Sequence, residues 1–295
     1  MSGCYSIKDL ERLTGIKAHT IRIWEKRYNI VQPERTESNI RCYSDENLKK
    51  LLNVSILVKN GYKISRIADF EDADINEKIL EVSRMNNHHS NQVESLIVSM
   101  IELDESKFEK ILNTAIIKLG FESTVFEIIS PLFEKIGVLW QTGSINPAQE
   151  HFISNLIRRK LFVAIDGLST YFEPGAKKVT LYLPEWELHE IGLLLYDYLL
   201  RKHGIKTFFL GQSLPIHDLV AVSRVQVPDY ILTVFTSSLP VEELNDYLLY
   251  LSGSFPNVSI LVTGMQTVQE GVRIPSNVLR FDGAKDFKDK ILDKL

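Results

Sequence analysis

The stretch Val179-Thr-Leu-Tyr-Leu-Pro-Glu-Trp-Glu187-Leu-His189-Glu-Ile-Gly192 decides the fold of the C-terminal part of this chain. It begins with a continuous apolar run, which is typical of a strand buried on both faces of a parallel sheet. A polar loop with Glu187 and His189 follows and leads into a helical stretch. Gly192 has no side chain and would let a bulky group approach the backbone closely. Strand, polar loop and helix in this order predict the first unit of an open α/β sheet.

Four more apolar runs follow this first unit, with helical stretches between them. The five strands are predicted at residues 179–183, 206–210, 230–235, 258–262 and 278–281. The helices are predicted at about residues 187–203, 215–226, 240–252 and 284–294, whereas residues 265–277 are less clearly helical. This alternation predicts a doubly wound, flavodoxin-like domain over residues 174–295, in which helices cover both faces of a parallel five-stranded sheet.

Polar and small residues stand where the predicted strands end. Glu187 and His189 follow the first strand, Ser237 and Leu239 follow the third, and Gly264 follows the fourth. Ligands of open parallel sheets bind beyond these carboxyl ends. A carboxylate two residues before a histidine can accept the ring N–H, which fixes the tautomer and raises the basicity of the ring as a ligand.

A four-helix bundle is predicted over residues 92–173. Its four segments, with helical apolar spacing and short connections, are residues 92–103, 105–119, 121–140 and 147–168. Asn146 at the N-cap and Pro147 at the first helical position mark the start of the fourth helix. Glu150 and His151 therefore lie in its first turn, near Trp140 at the end of the third helix. These three residues could form a ligand face, or simply core with a capping carboxylate.

The N-terminal head, residues 1–75, carries a helix-turn-helix pattern. Ser6 and Asp9 have the spacing of a capping box, and a glycine turn separates a first short helix from a second one over about residues 18–28. His19, Arg22 and Lys26 share one face of this second helix. A basic outer face on the second helix is typical of a recognition helix that enters the major groove of DNA.

A two-stranded wing is predicted over residues 31–43, with its turn near Ser38-Asn39. Arg35 and Arg41 on this ribbon would neutralise phosphates. Ser44 then starts another helix. Residues 76–91 read as a polar linker, in which His88-His89 is expected to be solvated loop rather than a metal site.

Composition and charge limit the classes of function. Residues 1–66 hold 13 Lys and Arg against 7 Asp and Glu, whereas the remaining residues hold 21 against 31, so only the head is expected to meet a polyanion. No apolar run is long enough to span a membrane, and a cytoplasmic protein is expected. Cys4 and Cys42 fit no zinc or iron–sulfur spacing. No P-loop or nucleophile–base pair is found, which predicts that the protein is not an enzyme.

The head resembles MerR-type winged helix-turn-helix domains. The matching residues are Tyr5-Ser6-Ile7, Thr20-Ile-Arg22-Ile-Trp24-Glu25-Lys26-Arg27-Tyr28, Pro33-x-Arg35 and Arg41-x-Tyr43-Ser44-x-Glu46. The resemblance implies binding to double-stranded promoter DNA. The residues expected to contact DNA are His19, Arg22, Lys26, Arg27, Arg35, Arg41 and Tyr43.

The rest of the chain resembles cobalamin-binding regulators. Glu187-x-His189-x-x-Gly192, Ser237-x-Leu239 and Gly264 are similar to the signature of a cobalamin-binding domain. Trp140, nine residues before Glu150-His151, is similar to the Trp-x9-Glu-His motif of the helical cap over the adenosyl group. Taken with the head, the whole chain resembles the CarH/LitR-type cobalamin-dependent photoreceptor repressors.

This resemblance implies a role for each motif. His189 would be the lower cobalt ligand with Glu187 as its partner, and Trp140, Glu150 and His151 would enclose the adenosyl group. The residues that would line the channel for the nucleotide tail are Gly192, Ser237, Leu239 and Gly264. In the family, dark tetramers bind promoter DNA, and light breaks the cobalt–carbon bond and releases the DNA. The expected function is therefore a repressor that senses adenosylcobalamin, and possibly light, through a dimeric or tetrameric homo-oligomer.

Three positions depart from the family pattern, and they keep an alternative open. Thr263 replaces the first glycine of a Gly-Gly pair, and its side chain is expected to intrude where the nucleotide tail should pass. Gln141 stands where photoreceptors of the family have a histidine, and Glu187 replaces an aspartate. The alternative is a MerR-type regulator of the same fold that has lost cobalamin and uses these domains for oligomerisation or protein partners. A methyl-transferring corrinoid protein is a third hypothesis, which the DNA-binding head argues against.

Overall fold

A computed structural model describes residues 5–35, 39–71, 74–75, 78, 89–141, 145–168 and 171–292, with the backbone alone at residues 138, 140 and 141. The chain divides into two compact units, Met1–Leu156 and Ile157–Leu295. The first unit contains the helix-turn-helix region and most of the predicted bundle. The second contains the end of the last bundle helix and the sheet.

The head begins with two helices that meet at a tight turn, α1 (Ile7–Thr14) and α2 (Ala18–Tyr28). The predicted capping box is confirmed, because the Ser6 hydroxyl accepts from the Asp9 N–H and the Asp9 carboxylate accepts from the Ser6 N–H. Gly15 ends α1 with a φ of 73°, a left-handed conformation that glycine adopts without strain. The predicted helix-turn-helix is therefore present.

The predicted wing and the helix after it are also present. The wing pairs β1 (Glu34–Arg35) with β2 (Arg41–Cys42) in antiparallel fashion, and α3 (Asp45–Lys59) and α4 (Ile64–Ile67) follow. Ser38 of the predicted turn lies outside the described residues, and Asn39 has a turn-like φ of 61°. Ser44 caps α3 by accepting from the Asn47 N–H, as its position in the sequence predicts.

Four helical segments form the bundle. They are α5 (His89–Glu102), α6 (Glu105–Leu119), a continuous third segment and α9 (Pro147–Asp166). The third consists of α7 (Phe121–Thr124), a π-helical turn (Val125–Ile129) and α8 (Ser130–Gln141). Asn146 caps α9 by accepting from the Ala148 N–H, and the Gln149 amide donates to the Ile101 carbonyl oxygen at the end of α5.

The first bundle helix begins three residues before its predicted start. His89 therefore lies in α5 rather than in the polar linker, and His88 lies outside the described residues. The polar composition of this stretch is misleading because its side chains are drawn into the core. Asn91 and Val93 are each only 2% exposed. Tertiary burial here outweighs local composition.

The second unit has the predicted parallel sheet, in the order β4-β3-β5-β6-β7. Its strands are β3 (Lys178–Pro184), β4 (Lys206–Leu214), β5 (Tyr230–Val234), β6 (Ser259–Thr263) and β7 (Val278–Arg280). Counted along the five strands this is the flavodoxin-like order 2-1-3-4-5. The segment whose helical character was weak in the sequence forms only a short 3₁₀ helix, Met265–Val268.

Helices cover both faces of the sheet, which gives the unit two layers of core. The helices are α10 (Ile191–Lys202), α11 (Ile216–Val225), α12 (Val241–Ser254) and α13 (Gly283–Lys290). Tyr182 and Ile231 pack with α11 and α12 on one face. On the other face Tyr196 of α10 packs edge-on against Phe281 and near Phe287 of α13. Across the described residues, no helix is both long and apolar enough to cross a membrane.

Candidate functional site

The carboxyl ends of β3 and β5 form the switch point of the sheet. From β3 the chain goes outward to β4 and then returns to β5 on the other side, so the two strands are neighbours whose connections run in opposite directions. Ligands of open α/β sheets bind in the crevice at such a point. The loop after β3 carries Glu187 and His189, and the loop after β5 carries Ser237. The structure therefore brings these three predicted site residues together.

Glu187 is fully buried at this crevice, and hydrogen bonds from both loops surround its carboxylate. Its Oε1 atom lies 2.6 Å from Nδ1 of His189 and accepts from the His189 backbone N–H at 3.0 Å and the Ser237 hydroxyl at 2.9 Å. Its Oε2 atom accepts from the backbone N–H groups of Thr236 and Ser237, each at 2.6 Å. The carboxylate therefore fastens the loop after β3 to the loop after β5.

These contacts determine the protonation of the pair. Burial by itself would raise the pKa of Glu187, but the hydrogen bonds from the His189 ring and from backbone N–H groups outweigh it and lower the pKa to about 2. The carboxylate is ionised at neutral pH and is placed to accept the Nδ1–H of His189. In the neutral ring this tautomer has its lone pair on Nε2. The His189 side chain is 56% exposed. The arrangement presents His189 outward as a metal ligand.

The side chains around His189 do not form a metal site made of protein ligands alone. Within the part of the chain that the structure describes, no group of three or more His, Cys, Asp or Glu side chains could hold a metal ion. A single imidazole does not build a zinc or iron site, for which three or four protein ligands are usual. The geometry at His189 instead suits a metal that arrives with most of its ligands already in place, as in a metallated macrocycle.

Gly264 closes the crevice where β6 ends. Its φ is 106°, and a Cβ atom at this position would lie 2.3 Å from the carbonyl oxygen of Phe235. Only glycine fits this close approach of two backbones. At Gly192, by contrast, a Cβ would meet Val234 at an ordinary 3.8 Å, so packing within the chain does not require glycine there.

Thr263 is buried rather than exposed to an open channel. It is 5% exposed, and its side chain lies beside the buried hydroxyl of Tyr196 in α10. Burial raises the pKa of Tyr196, which keeps this phenol protonated. Thr263 therefore packs between the sheet and α10.

Several residues that the sequence analysis missed hold the site loops. The Gln266 side chain accepts from the Leu239 N–H and donates to the Thr236 carbonyl oxygen, which joins the loops after β5 and β6. Its position two residues after Gly264 was the available signal. Arg158 of α9 contacts the carboxylate of Glu190 at 3.0 Å. No sequence signal points to that pair, because its members are distant in the chain and neither belongs to a motif.

The end of the bundle holds the second predicted group. Glu150 Oε2 lies 2.8 Å from Nδ1 of His151, and its Oε1 accepts from the Ser154 hydroxyl at 2.5 Å. The His151 side chain is 72% exposed. Trp140 lies in the last turn of α8, but its side chain and that of Gln141 lie outside what the structure describes. This group belongs to the first unit, whereas Glu187 and His189 belong to the second.

The recognition helix exposes the predicted basic residues. His19, Arg22, Lys26 and Arg27 are all exposed on α2, whereas Ile21 and Trp24 on its opposite face are buried. On the wing, the exposed Arg35 donates to the Asn39 side chain at 2.7 Å. These cations form a surface of the kind that meets the DNA backbone and major groove.

The structure corrects the prediction that Tyr43 belongs to the DNA-contacting surface. It is 0% exposed, and its hydroxyl donates to Glu25 at 3.1 Å. The reason is the isolated bridge between Tyr5 and Tyr43, which places the residue in the core of the head. Arg41, half-buried beside it, also pairs with Glu25, at 3.2 Å. Tyr43 thus supports the wing from inside, and Arg41 is tethered to α2.

Comparison with known proteins finds family matches for both the helix-turn-helix head and the bundle. Residues 5–74 match the MerR HTH family regulatory protein family, and residues 92–164 match the B12 binding domain family. The HTH-type transcriptional repressor CarH of Myxococcus xanthus is 27% identical over 260 residues, which cover 85% of each chain. The repressor CarA of the same organism is 28% identical over 249 residues, covering 82% of this chain and 80% of CarA.

A solved structure supports the fold. The monomethylamine corrinoid protein of Methanosarcina barkeri superposes with a TM-score of 0.52 at 14% sequence identity, covering 67% of this chain and 95% of that protein. This likeness extends to the fold alone. The chain is a homologue of CarH and CarA, and it joins a MerR-type helix-turn-helix head to a B12-binding domain.

Proposed function

We propose that this chain is a transcriptional repressor that binds adenosylcobalamin through His189 and responds to light by changing its homo-oligomeric state. The domain matches and the repressor relatives support a cobalamin-sensing DNA-binding regulator. The observation that carries the proposal for the site is the buried, ionised Glu187, which orients one exposed histidine at the switch point of the sheet. The same relatives support a non-enzymatic role.

The residues present fit a corrinoid. A corrin ring supplies four cobalt ligands of its own, so His189 would be enough to hold the metal, and among the described residues no group of three or more His, Cys, Asp or Glu side chains could hold a metal ion. Bound adenosylcobalamin would supply a cobalt–carbon bond that light can break. His189 would hold the cobalt, and Glu187 would keep the proton on Nδ1. Trp140, Glu150 and His151 are assigned to the adenosyl group by their place in the motif, and Glu150 would orient the His151 ring.

DNA binding is assigned to the head. Arg22, with His19, Lys26 and Arg27, would enter the major groove on α2, and Arg35 on the wing would contact phosphate. Arg41 is a weaker candidate because its guanidinium is paired with Glu25. The proposed partner is double-stranded promoter DNA, bound by a dimer or tetramer of this chain. The match to a B12 binding domain family does not favour the alternative in which cobalamin has been lost.

The test mixes purified protein with adenosylcobalamin in the dark, removes unbound cofactor by desalting, and records visible spectra before and after green light. We expect retained corrin absorbance that shifts on illumination, with a smaller species on gel filtration afterwards. His189→Ala should retain far less corrin, whereas His217→Ala, an exposed histidine elsewhere in the same unit, should behave as wild type. Wild-type protein that retains no corrin would refute the proposal.

A further inference from the structure

A buried polar cluster joins the DNA-binding head to the bundle within the first unit. We call it the Glu94 cluster, and it consists of Glu94 on α5, Ser55 and Lys59 on α3, and Lys135 on α8. Glu94 is 0% exposed. Its Oε1 atom lies 2.5 Å from Lys59 Nζ and 3.7 Å from Lys135 Nζ, and its Oε2 lies 3.3 Å from the Ser55 hydroxyl. The buried carboxylate of Glu94 thus contacts side chains from both the head and the bundle.

Two members of the cluster also contact the end of α1. Lys135 donates to the Leu13 carbonyl oxygen at 3.1 Å, and the Ser55 hydroxyl lies 3.0 Å from the Thr14 carbonyl oxygen. The last carbonyl groups of a helix have no partner inside it, so external donors hold them. Leu13 and Thr14 directly precede the Gly15 turn that leads into α2. The cluster therefore fixes the segment from which the recognition helix departs.

Moving Lys135 of the bundle away from its contacts is energetically unfavourable. Burial lowers the pKa of Lys135, which Glu94 partly opposes. If α8 shifted and Lys135 lost its contacts, the carboxylate would keep Lys59, but the Leu13 carbonyl would lose its donor. A buried carbonyl oxygen that loses its donor is destabilising because water cannot replace the lost hydrogen bond. A displacement of α8 would therefore destabilise the end of α1.

The helix that carries Lys135 also carries a residue of the proposed cofactor cap. Trp140 is five positions further along α8, in its last turn. We propose that Lys135 is a positioning residue that transmits the cofactor state of the bundle to the helix-turn-helix, through its contact with the Leu13 carbonyl. This inference rests on the proposed function, because it takes the bundle to respond to adenosylcobalamin.

The same interface supplies a matched control. Lys49 of α3 pairs with Glu102 of α5 at 2.5 Å, at the other end of the antiparallel contact between these helices. This pair joins head and bundle but, among the described residues, has no hydrogen bond or ion pair to α1. It is also more exposed than Glu94, since Glu102 is 26% exposed. If Lys135 only holds the head and the bundle together, loss of Lys49 should have a comparable effect on the response of DNA affinity to adenosylcobalamin.

The test measures how much adenosylcobalamin changes DNA affinity, in the full chain kept in the dark. The probe is a duplex enriched from a randomised library on wild-type protein. Allosteric coupling is commonly about 5–150-fold. We expect Lys135→Met to reduce this ratio to within about twofold of one while retaining the corrin spectrum, whereas Lys49→Met and Lys135→Arg keep it. A Lys135→Met protein with the wild-type ratio, or an equal loss in Lys49→Met, would overturn the inference.

Hydrogen exchange separates failure of this inference from failure of the proposed function. If adenosylcobalamin does not change the DNA affinity of wild-type protein, the proposed function fails, and so does the proposed transmission through Lys135. The positioning role is then decided in the cofactor-free protein: Lys135→Met, but not Lys49→Met, should speed exchange of the amides at residues 15–21. Unchanged exchange there would refute the positioning role as well.

Discussion

Oε1 of Glu187 lies 2.6 Å from Nδ1 of His189, so a carboxylate with no exposed surface orients a histidine that is more than half exposed. The same carboxylate accepts three hydrogen bonds from the loop after β5. The Glu187 carboxylate therefore both orients the His189 ring and attaches the two loops to each other. A change at either residue should affect binding at His189, but only a change at Glu187 should also loosen the loops.

Glu187→Gln should separate these two effects. The amide cannot accept from every donor now around the carboxylate, because its NH2 group would face backbone N–H groups of Thr236 or Ser237. We expect a loss of stability of about 1–3 kcal/mol and weaker cobalamin binding. Urea unfolding and spectral titration measure the two. His189→Ala should weaken binding with little loss of stability, and equal stability losses in both variants would contradict this account.

The stability contributed by Glu187 should depend on pH in a defined window. Its pKa is about 2 in the folded chain against an ordinary value of 4.5, so the contribution is complete above pH 4.5 and is lost as the pH falls toward 2. A difference of this size corresponds to a contribution on the order of 3 kcal/mol. The gap in urea midpoint between wild type and Glu187→Gln should narrow between pH 4.5 and 3. A gap that stays constant over this range would show that Glu187 is not ionised in the folded state.

Local sequence signals predicted the elements, because caps and apolar spacing act within a few residues. The capping box at Ser6, the start of α9 at Pro147 and the five parallel strands were all predictable in this way. The match of Glu187-x-His189 to a signature also predicted the pair whose contact the structure contains.

The contacts that couple distant segments were not predictable. Lys135 and Leu13 are 122 positions apart, and nothing in either local sequence indicates the other. The burial of Tyr43 follows from its bridge to Tyr5, although its position in the motif suggested a DNA contact. The proximity of Thr263 to Tyr196 was not predictable either, because the two residues meet only once α10 packs on the sheet.

Arg158 should support the loop that carries His189. It contacts Glu190, which directly follows His189 and is 15% exposed. Arg158→Ala leaves this carboxylate without that cation, and we expect weaker retention of cobalamin by about tenfold, equivalent to about 1.4 kcal/mol. Arg159→Ala, at the exposed neighbouring position on α9, is the control and should bind as wild type. Equal retention in the two variants would remove Arg158 from the site.

Two arginines of the head should differ in their effect on DNA binding. Arg22→Ala removes a side chain expected to read base edges and should cost about 1–3 kcal/mol with relaxed sequence preference. Arg35→Ala should weaken binding to all duplexes alike and lower the slope of log affinity against log salt by about one. Salt titrations on a selected duplex and a scrambled one distinguish the two. If Arg22→Ala weakened both duplexes equally, α2 would not be the helix that reads sequence.

Thr263 offers the most direct test of how the nucleotide tail is accommodated. Thr263→Gly removes the buried side chain beside Tyr196 and opens space at the end of β6. Tyr196→Phe removes the hydroxyl beside Thr263 but leaves the threonine side chain in place. Thr263→Gly should lose stability, by about 0.5–1 kcal/mol for the added backbone freedom of glycine.

If the tail passes beside Thr263, only Thr263→Gly should bind cobalamin more tightly than wild type. Cobinamide, which lacks the nucleotide, should bind wild type and Thr263→Gly equally well. Tighter cobalamin binding by both variants would assign the effect to the altered contact between the two side chains, and unchanged binding by both would mean that the tail does not pass this residue.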